Sequence, residues 1–172
     1  MTMPLARIPA GQLRRVAVPA LVVYALAFIP FLLVGDPDEM LRLQFAGSES
    51  KAREIVMGWS HSELIDMAFL QGVDEVHPLA YGLLLAVGSI WAGRVLQGGT
   101  ARWSSVIAWM ALAAAALDLL ENVGMIVMIR GHFDSPVPTI TTLLAVAKFA
   151  TLVAVVTYVV GGIARRLRGA TG

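Results

Sequence analysis

The chain has no cysteine in its 172 residues. Disulfides, thiol nucleophiles and cysteine-held metal or haem are therefore excluded, and the redox compartment leaves no mark. Charge is also scarce. Charged side chains make up 15% of the residues, where an ordinary soluble domain has about 25%. Neither sign dominates: 13 basic and 12 acidic residues give a formal net charge of +1, so no bulk field points to nucleic acid. No P-loop, dinucleotide fingerprint or nucleophile elbow is present, and no cofactor is expected. Metal is not expected either, because no H-E-x-x-H or Glu-x-x-His pattern occurs and His61 and His77 are too far apart to form a local ligand pair.

What is there is apolar. Hydrophobic residues make up 58% and mean hydropathy is +0.75. Such a composition excludes a disordered chain and an ordinary soluble enzyme and leaves an integral membrane protein. Four stretches are long enough to span, at about residues 16–34, 76–95, 103–129 and 139–164. Period-2 alternation is absent and Ala and Leu dominate, so the spans are helices. The first is long and no A-x-A-like site follows it, which reads as a retained span rather than a cleaved leader. The expected fold is all-α: an integral membrane four-helix bundle in one domain, with short amphipathic helices between helices 1 and 2.

Resolved by segment, the balanced charge carries an orientation. Arg7, Arg14 and Arg15 precede the first span, Arg94 and Arg102 lie between the second and third, and Arg165, Arg166 and Arg168 follow the fourth, with no acidic residue in these segments. Gly35 to Glu75 holds nine acidic residues against Arg42, Lys51 and Arg53. The Lys/Arg bias predicts a multi-pass protein of a bacterial cytoplasmic (inner) membrane with both termini in the cytoplasm. The acidic segment 36–75 would then lie outside. Gly35-Asp36-Pro37-Asp38 breaks the first helix, a helical stretch is predicted from about Glu49 to Trp59, and Ser60 to Glu63 has capping-box spacing. A helical hairpin packed on the bundle is the expected form, and a lid or partner surface is the alternative.

Three ionisable residues fall inside the spans: Asp118, Glu121 and Lys148. Each costs about 2.5–3.5 kcal/mol at a helix centre on insertion scales, so together they point to a functional pocket, with a network that only fixes helix register and partner choice as the alternative. Counted inward at 1.5 Å per residue, Asp118 and Glu121 lie about 16 and 12 Å from the outer end of their helix, and Lys148 about 15 Å from the outer end of its own. The two helices are antiparallel neighbours, which predicts a cross-helix ion pair. Two carboxylates a turn apart in low dielectric resist double ionisation, so Asp118 and Glu121 are expected to share one proton beside a charged Lys148. Asp118, Glu121 and Asn122 share a face continued by Ala111, Ala114 and Ala115. The Lys148 face includes Thr141, Ala145 and Val155, and the second span offers Asp74, His77, Pro78, Tyr81, Leu85, Gly88 and Ala92. These faces predict a polar cavity in the outer half of the bundle and tight packing below.

The motifs Asp74-x-x-x-Pro78-x-x-Tyr81, Leu117-Asp118-x-x-Glu121-Asn122 and Lys148-Phe149 stand in that order. Their pattern resembles a group of small uncharacterised bacterial four-helix integral membrane proteins. Ala145 and Phe149 stand where that group carries threonine and tryptophan. The resemblance covers roughly residues 50 to 162; it implies the four-helix bundle and these polar positions, and it supplies no reaction.

Three functions follow as expectations. A lipid or small amphiphile would bind in the pocket formed by Asp74, His77, Tyr81, Asp118, Glu121, Asn122 and Lys148, in a binding or accessory role. Alternatively, Asp118, Glu121 and Lys148 would carry acid/base catalysis in a lipid- or isoprenoid-modifying enzyme. A proton-coupled transporter is the further alternative, although no inverted repeat is visible. Gly88-x-x-x-Ala92 offers a small-residue face for a homodimer, and a partner membrane protein is left open.

Overall fold

A computed structural model describes residues 8–34, 36–96 and 98–169. Arg7 and Gly35, both used above, lie outside the described residues. Four long helices are apolar enough to cross a membrane, and no strand occurs among the described residues. Much of their apolar surface is exposed: Leu21, Leu26, Leu143 and Val153 are among the large side chains left uncovered among the described residues.

Helix α1 spans Ala10–Leu33 and starts directly after Pro9. Pro19 and Pro30 lie inside it, and the helix continues through both. Its buried positions are Leu13, Ala20 and Ala27, one residue every two turns. That single narrow seam rests mainly on α5 (His77–Val95). The tightly packed unit is therefore three helices, α5, α6 (Ser104–Ile129) and α7 (Val137–Gly169), with α1 at its side. The expected four-helix bundle thus takes the form of three closely packed helices with α1 at their side, because the buried positions of α1 recur only once per heptad.

Small residues set the spacing inside that unit. A Cβ on Gly82 would stand 2.7 Å from Ala115 Cβ, and one on Gly162 would stand 2.5 Å from Ala92 Cβ. A Cβ on Gly124 would overlap Thr141 Oγ1. Helix pairs α5–α6, α5–α7 and α6–α7 thus each approach at a glycine, as close helix contacts in lipid require. Gly88 and Ala92, expected as a small-residue face, both pack against α7. Ala92 is fully buried against Gly162, and Gly88 faces Val159 of α7, so both are used within the chain.

Toward the arginine-rich end the packing is apolar, with Leu13, Ala86, Ile90, Ala108, Ala111 and Val155 in one cluster. The opposite, acidic end is covered by three short helices: α2 (Pro37–Gln44), α3 (Glu49–Gly58) and α4 (His61–Asp74). Asp36 caps α2 by accepting from the Asp38 N–H at 2.9 Å, with Pro37 at the first helical position. The Asp36-Pro37 pair thus opens a helix as well as ending one, which the sequence reading takes only as a break. Ser60 and Glu63 form the expected reciprocal capping box of α4.

This acidic lobe is seated on the bundle. Leu43, Ala52 and Val56 pack with Met125 and Met128 of α6 and with Phe133. Gly47 turns the chain between α2 and α3 at φ 68°, a conformation that suits glycine. Its N–H donates to Thr142 Oγ1 (3.0 Å), whose hydroxyl donates to the Gln44 carbonyl (2.7 Å), and Thr139 donates to the Gly47 carbonyl (3.0 Å). Segment 36–75 packs on the bundle as expected, but as three short helices rather than a two-helix hairpin, because Asp36 and Pro37 start an additional helix. Trp59 ties α3 to α2 by donating from its indole N–H to Glu39 at 3.0 Å, and Arg42 pairs with the same carboxylate. The Trp59 bond, with a smaller contribution from Arg42, holds the Glu39 carboxyl below its ordinary value of 4.5.

Candidate functional site

The polar side chains of α5, α6 and α7 meet midway along the bundle. On α6 the buried stripe runs Ala111, Ala114, Ala115, Asp118, Glu121, Asn122, Met125, the spacing of one helical face. On α7 it runs Thr141, Ala145, Lys148, Val155. Because the α6–α7 pair is close, these stripes bring Lys148 to the level of the two carboxylates. Relative exposure is 6% for Asp118, 0% for Glu121 and Asn122 and 4% for Lys148, so the group is sealed from solvent.

Lys148 Nζ donates to Asp118 Oδ1 at 2.7 Å and stands 2.5 Å from Glu121 Oε2. The second contact is an ion pair whose angles fall short of a hydrogen bond, leaving both Glu121 oxygens without a donor. Tyr81 of α5 donates to Asp118 Oδ2 at 2.7 Å. Asp118 therefore has a donor on each oxygen and links all three helices. Buried ionic groups are tolerable when paired and hydrogen-bonded in this way.

A second polar group lies one turn toward the acidic end. Asn122 donates from Nδ2 to the Asp74 backbone carbonyl at 3.3 Å, and Asp74 Oδ1 lies 3.6 Å from His77 Nδ1. The His77 ring is stacked on Tyr24 of α1 with centroids 4.5 Å apart, and Phe28 and Phe31 stand at 6.1 and 5.9 Å. Tyr81 meets the same ring edge-on at 6.2 Å, so the two groups touch without a hydrogen bond between them. Aromatic contacts to His77 are thus a second attachment of α1 to the bundle.

All seven residues singled out in the sequence fall in this region, in two groups. Asp118, Glu121, Lys148 and Tyr81 form one; Asp74, His77 and Asn122 form the other. Three hollows mark the surface of the described residues, one at each end of the bundle and one between α1 and α4. None of these is lined by Asp118, Glu121, Asn122 or Lys148 among the described residues. The ammonium and the phenol occupy both oxygens of Asp118, and the ammonium also lies against Glu121.

Sequence reasoning missed Gln71. It is fully buried on α4, and neither its amide nitrogen nor its oxygen has a hydrogen-bond partner among the described residues. The available signal was its position: it lies on the same α4 face as Met67, Leu70 and Asp74. Among the described residues, Asn122 Oδ1, His77 Nε2, Glu75 Oε1, Gln44 Oε1 and both Glu121 oxygens are also buried without a hydrogen-bond partner. Polar atoms this buried are normally satisfied, by protein, water or ligand.

The hollow nearest to this corner lies between α1 and α4. It measures about 570 Å³ and is walled by Val23, Leu26 and Ala27 on one side and Ala68, Phe69, Gly72, Val73 and Val76 on the other. Its wall runs in sequence directly into Asp74, Glu75 and His77. Comparison with protein-family models, with curated proteins and with solved structures gives no match to this chain, so the functional reading rests on its own residues.

Proposed function

We propose that this chain is a multi-pass protein of a bacterial cytoplasmic membrane, arginine-rich end inward, that binds a lipid or small amphiphile in an accessory role. The α1–α4 hollow carries this reading. It offers a slot lined by apolar side chains, large enough for a hydrocarbon chain, beside a corner where Glu75 Oε1 and His77 Nε2 are buried with no hydrogen-bond partner among the described residues. A ligand with one apolar tail and one hydrogen-bonding end matches both features. The binding position is thereby moved from the Asp118–Glu121–Lys148 centre to the slot beside Asp74 and His77.

The ion-paired centre has a positioning role in this reading. It holds α5, α6 and α7 in one register and fixes the platform on which α1 and α4 rest. Asp118 is engaged on both oxygens by Lys148 and Tyr81, and none of the described hollows is lined by it or by Glu121, which favours binding over the catalytic and proton-transport readings, because acid/base chemistry needs a reacting group within reach of the carboxylates.

Gly72 supplies the test. A Cβ there meets nothing within 4 Å, so a larger side chain can enter the slot without disturbing the fold. Lipid extracted with the purified protein is identified by mass spectrometry. Gly72→Leu is expected to lose that lipid at least tenfold while retaining the native melting temperature. Equal lipid content in Gly72→Leu and the natural chain refutes the slot as the binding site.

A further inference from the structure

The arginine-rich end holds a second concave site. The start of α1, the end of α5 and the end of α7 surround a hollow of about 1300 Å³. Four arginines line it: Arg94 from α5 and Arg165, Arg166 and Arg168 from α7. No acidic side chain lines it among the described residues. Arg94 donates to the Ile8 carbonyl, which fixes one guanidinium at the rim. Trp91 adds an indole to the wall.

Orientation alone requires arginines at this end of the molecule, and α1 meets that need with Arg14 and Arg15, which do not line the hollow. Convergence of four others on one concavity is a separate feature. Like charges gathered in a cleft with low-dielectric walls focus their field on whatever enters. Guanidinium groups present paired N–H donors that match phosphate oxygens. Directly beside the cup, Val160, Ile163 and Leu167 of α7 are exposed and apolar, a surface suited to acyl chains.

We infer that this cup binds the phosphate head of an anionic phospholipid, with its acyl chains against the exposed flank of α7. The site is separate from the α1–α4 slot and does not depend on it.

The test uses the full chain in nanodiscs, with bound lipid counted by native mass spectrometry. Phosphatidylglycerol is offered against phosphatidylcholine. Arg165→Gln with Arg166→Gln removes two cup charges from exposed positions, and Arg14→Gln with Arg15→Gln removes two charges at the same end outside the cup. Natural protein is expected to retain phosphatidylglycerol over phosphatidylcholine. The cup variant is expected to lose this preference by about tenfold or more, given roughly 1 kcal/mol per basic residue near an anionic surface. The α1 variant should change it less than twofold, and Gly72→Leu should leave it unchanged. Equal losses in the two arginine variants would assign the preference to general surface potential and overturn the proposal. So would no loss in either, or displacement of the lipid by millimolar inorganic phosphate, which would mark a free-anion site.

Discussion

Replacing Lys148 by methionine removes the cation that pairs with both carboxylates of the buried centre. Methionine matches the length of the lysine stem, so the change is one of charge more than of volume. Asp118 then loses its Oδ1 donor at 2.7 Å and Glu121 its ion pair at 2.5 Å, both at positions sealed from solvent. Whether the carboxylates share a proton or are both ionised, at least one negative charge is left without a counter-charge. Removing one partner of a buried pair costs about 3–5 kcal/mol. For a chain of this size each kcal/mol moves the melting temperature by about 2–4 °C, so Lys148→Met should lower it by roughly 6–20 °C. Thermal unfolding followed by circular dichroism in one detergent measures the shift. The decisive companion is the triple variant with Asp118→Asn and Glu121→Gln. It has no buried charge left to strand, and it should recover at least half of the loss. A drop under about 3 °C for the single variant, or a triple variant no more stable than the single one, would refute the reasoning that the centre works by charge compensation.

Three further outcomes are expected. Gly124→Ala should destabilise the chain, because its Cβ overlaps Thr141 Oγ1, and adding Thr141→Ala should restore much of the loss in the same melt. Thr142→Val removes two bonds that hold the turn around Gly47, worth about 1–3 kcal/mol together, and hydrogen exchange should accelerate in residues 44–48 before it does in α6. Glu39 is held below its ordinary value of 4.5 in the folded lobe, so its contribution is complete above that pH and is lost as pH falls through the lower folded value. Emission from Trp59, with the other tryptophans changed to phenylalanine, should stay constant from pH 7 to 5 and shift under stronger acid, and Glu39→Gln should abolish the acid step.

The meeting of Asp118, Glu121 and Lys148 was legible because it needed only two facts, helical rise and the antiparallel arrangement of neighbours joined by a short turn. Both are properties of the backbone, and the side chains followed. Capping of α4 was legible for a similar reason, since Ser60 and Glu63 interact within one turn. Closure of the centre was not. Tyr81 reaches Asp118 across 37 positions of sequence, and whether its hydroxyl fills the space or borders a cavity depends on the rotation of α5, which composition does not report. Rotation also decided the fate of Gly88 and Ala92: their spacing suits a helix contact, but it does not say whether the partner is another copy or α7. Gln71 escaped notice because one amide in an apolar run resembles ordinary surface variation until its burial is seen. The peripheral place of α1 was hidden because uniform hydrophobicity marks a spanning segment without saying how many of its faces touch protein.

The threonine bonds that seat the acidic lobe have a consequence for the order of assembly. Gly47 and Gln44 find their partner in Thr142, 95 and 98 positions further along the chain. During synthesis the lobe emerges long before that partner exists. Its short helices can form early on their own caps, but the turn between them has no hydroxyl to bond until the last long helix is in place. Completion of α7 is therefore what closes the acidic end, and a chain stopped before residue 142 should display an unseated lobe that quality-control proteases can recognise.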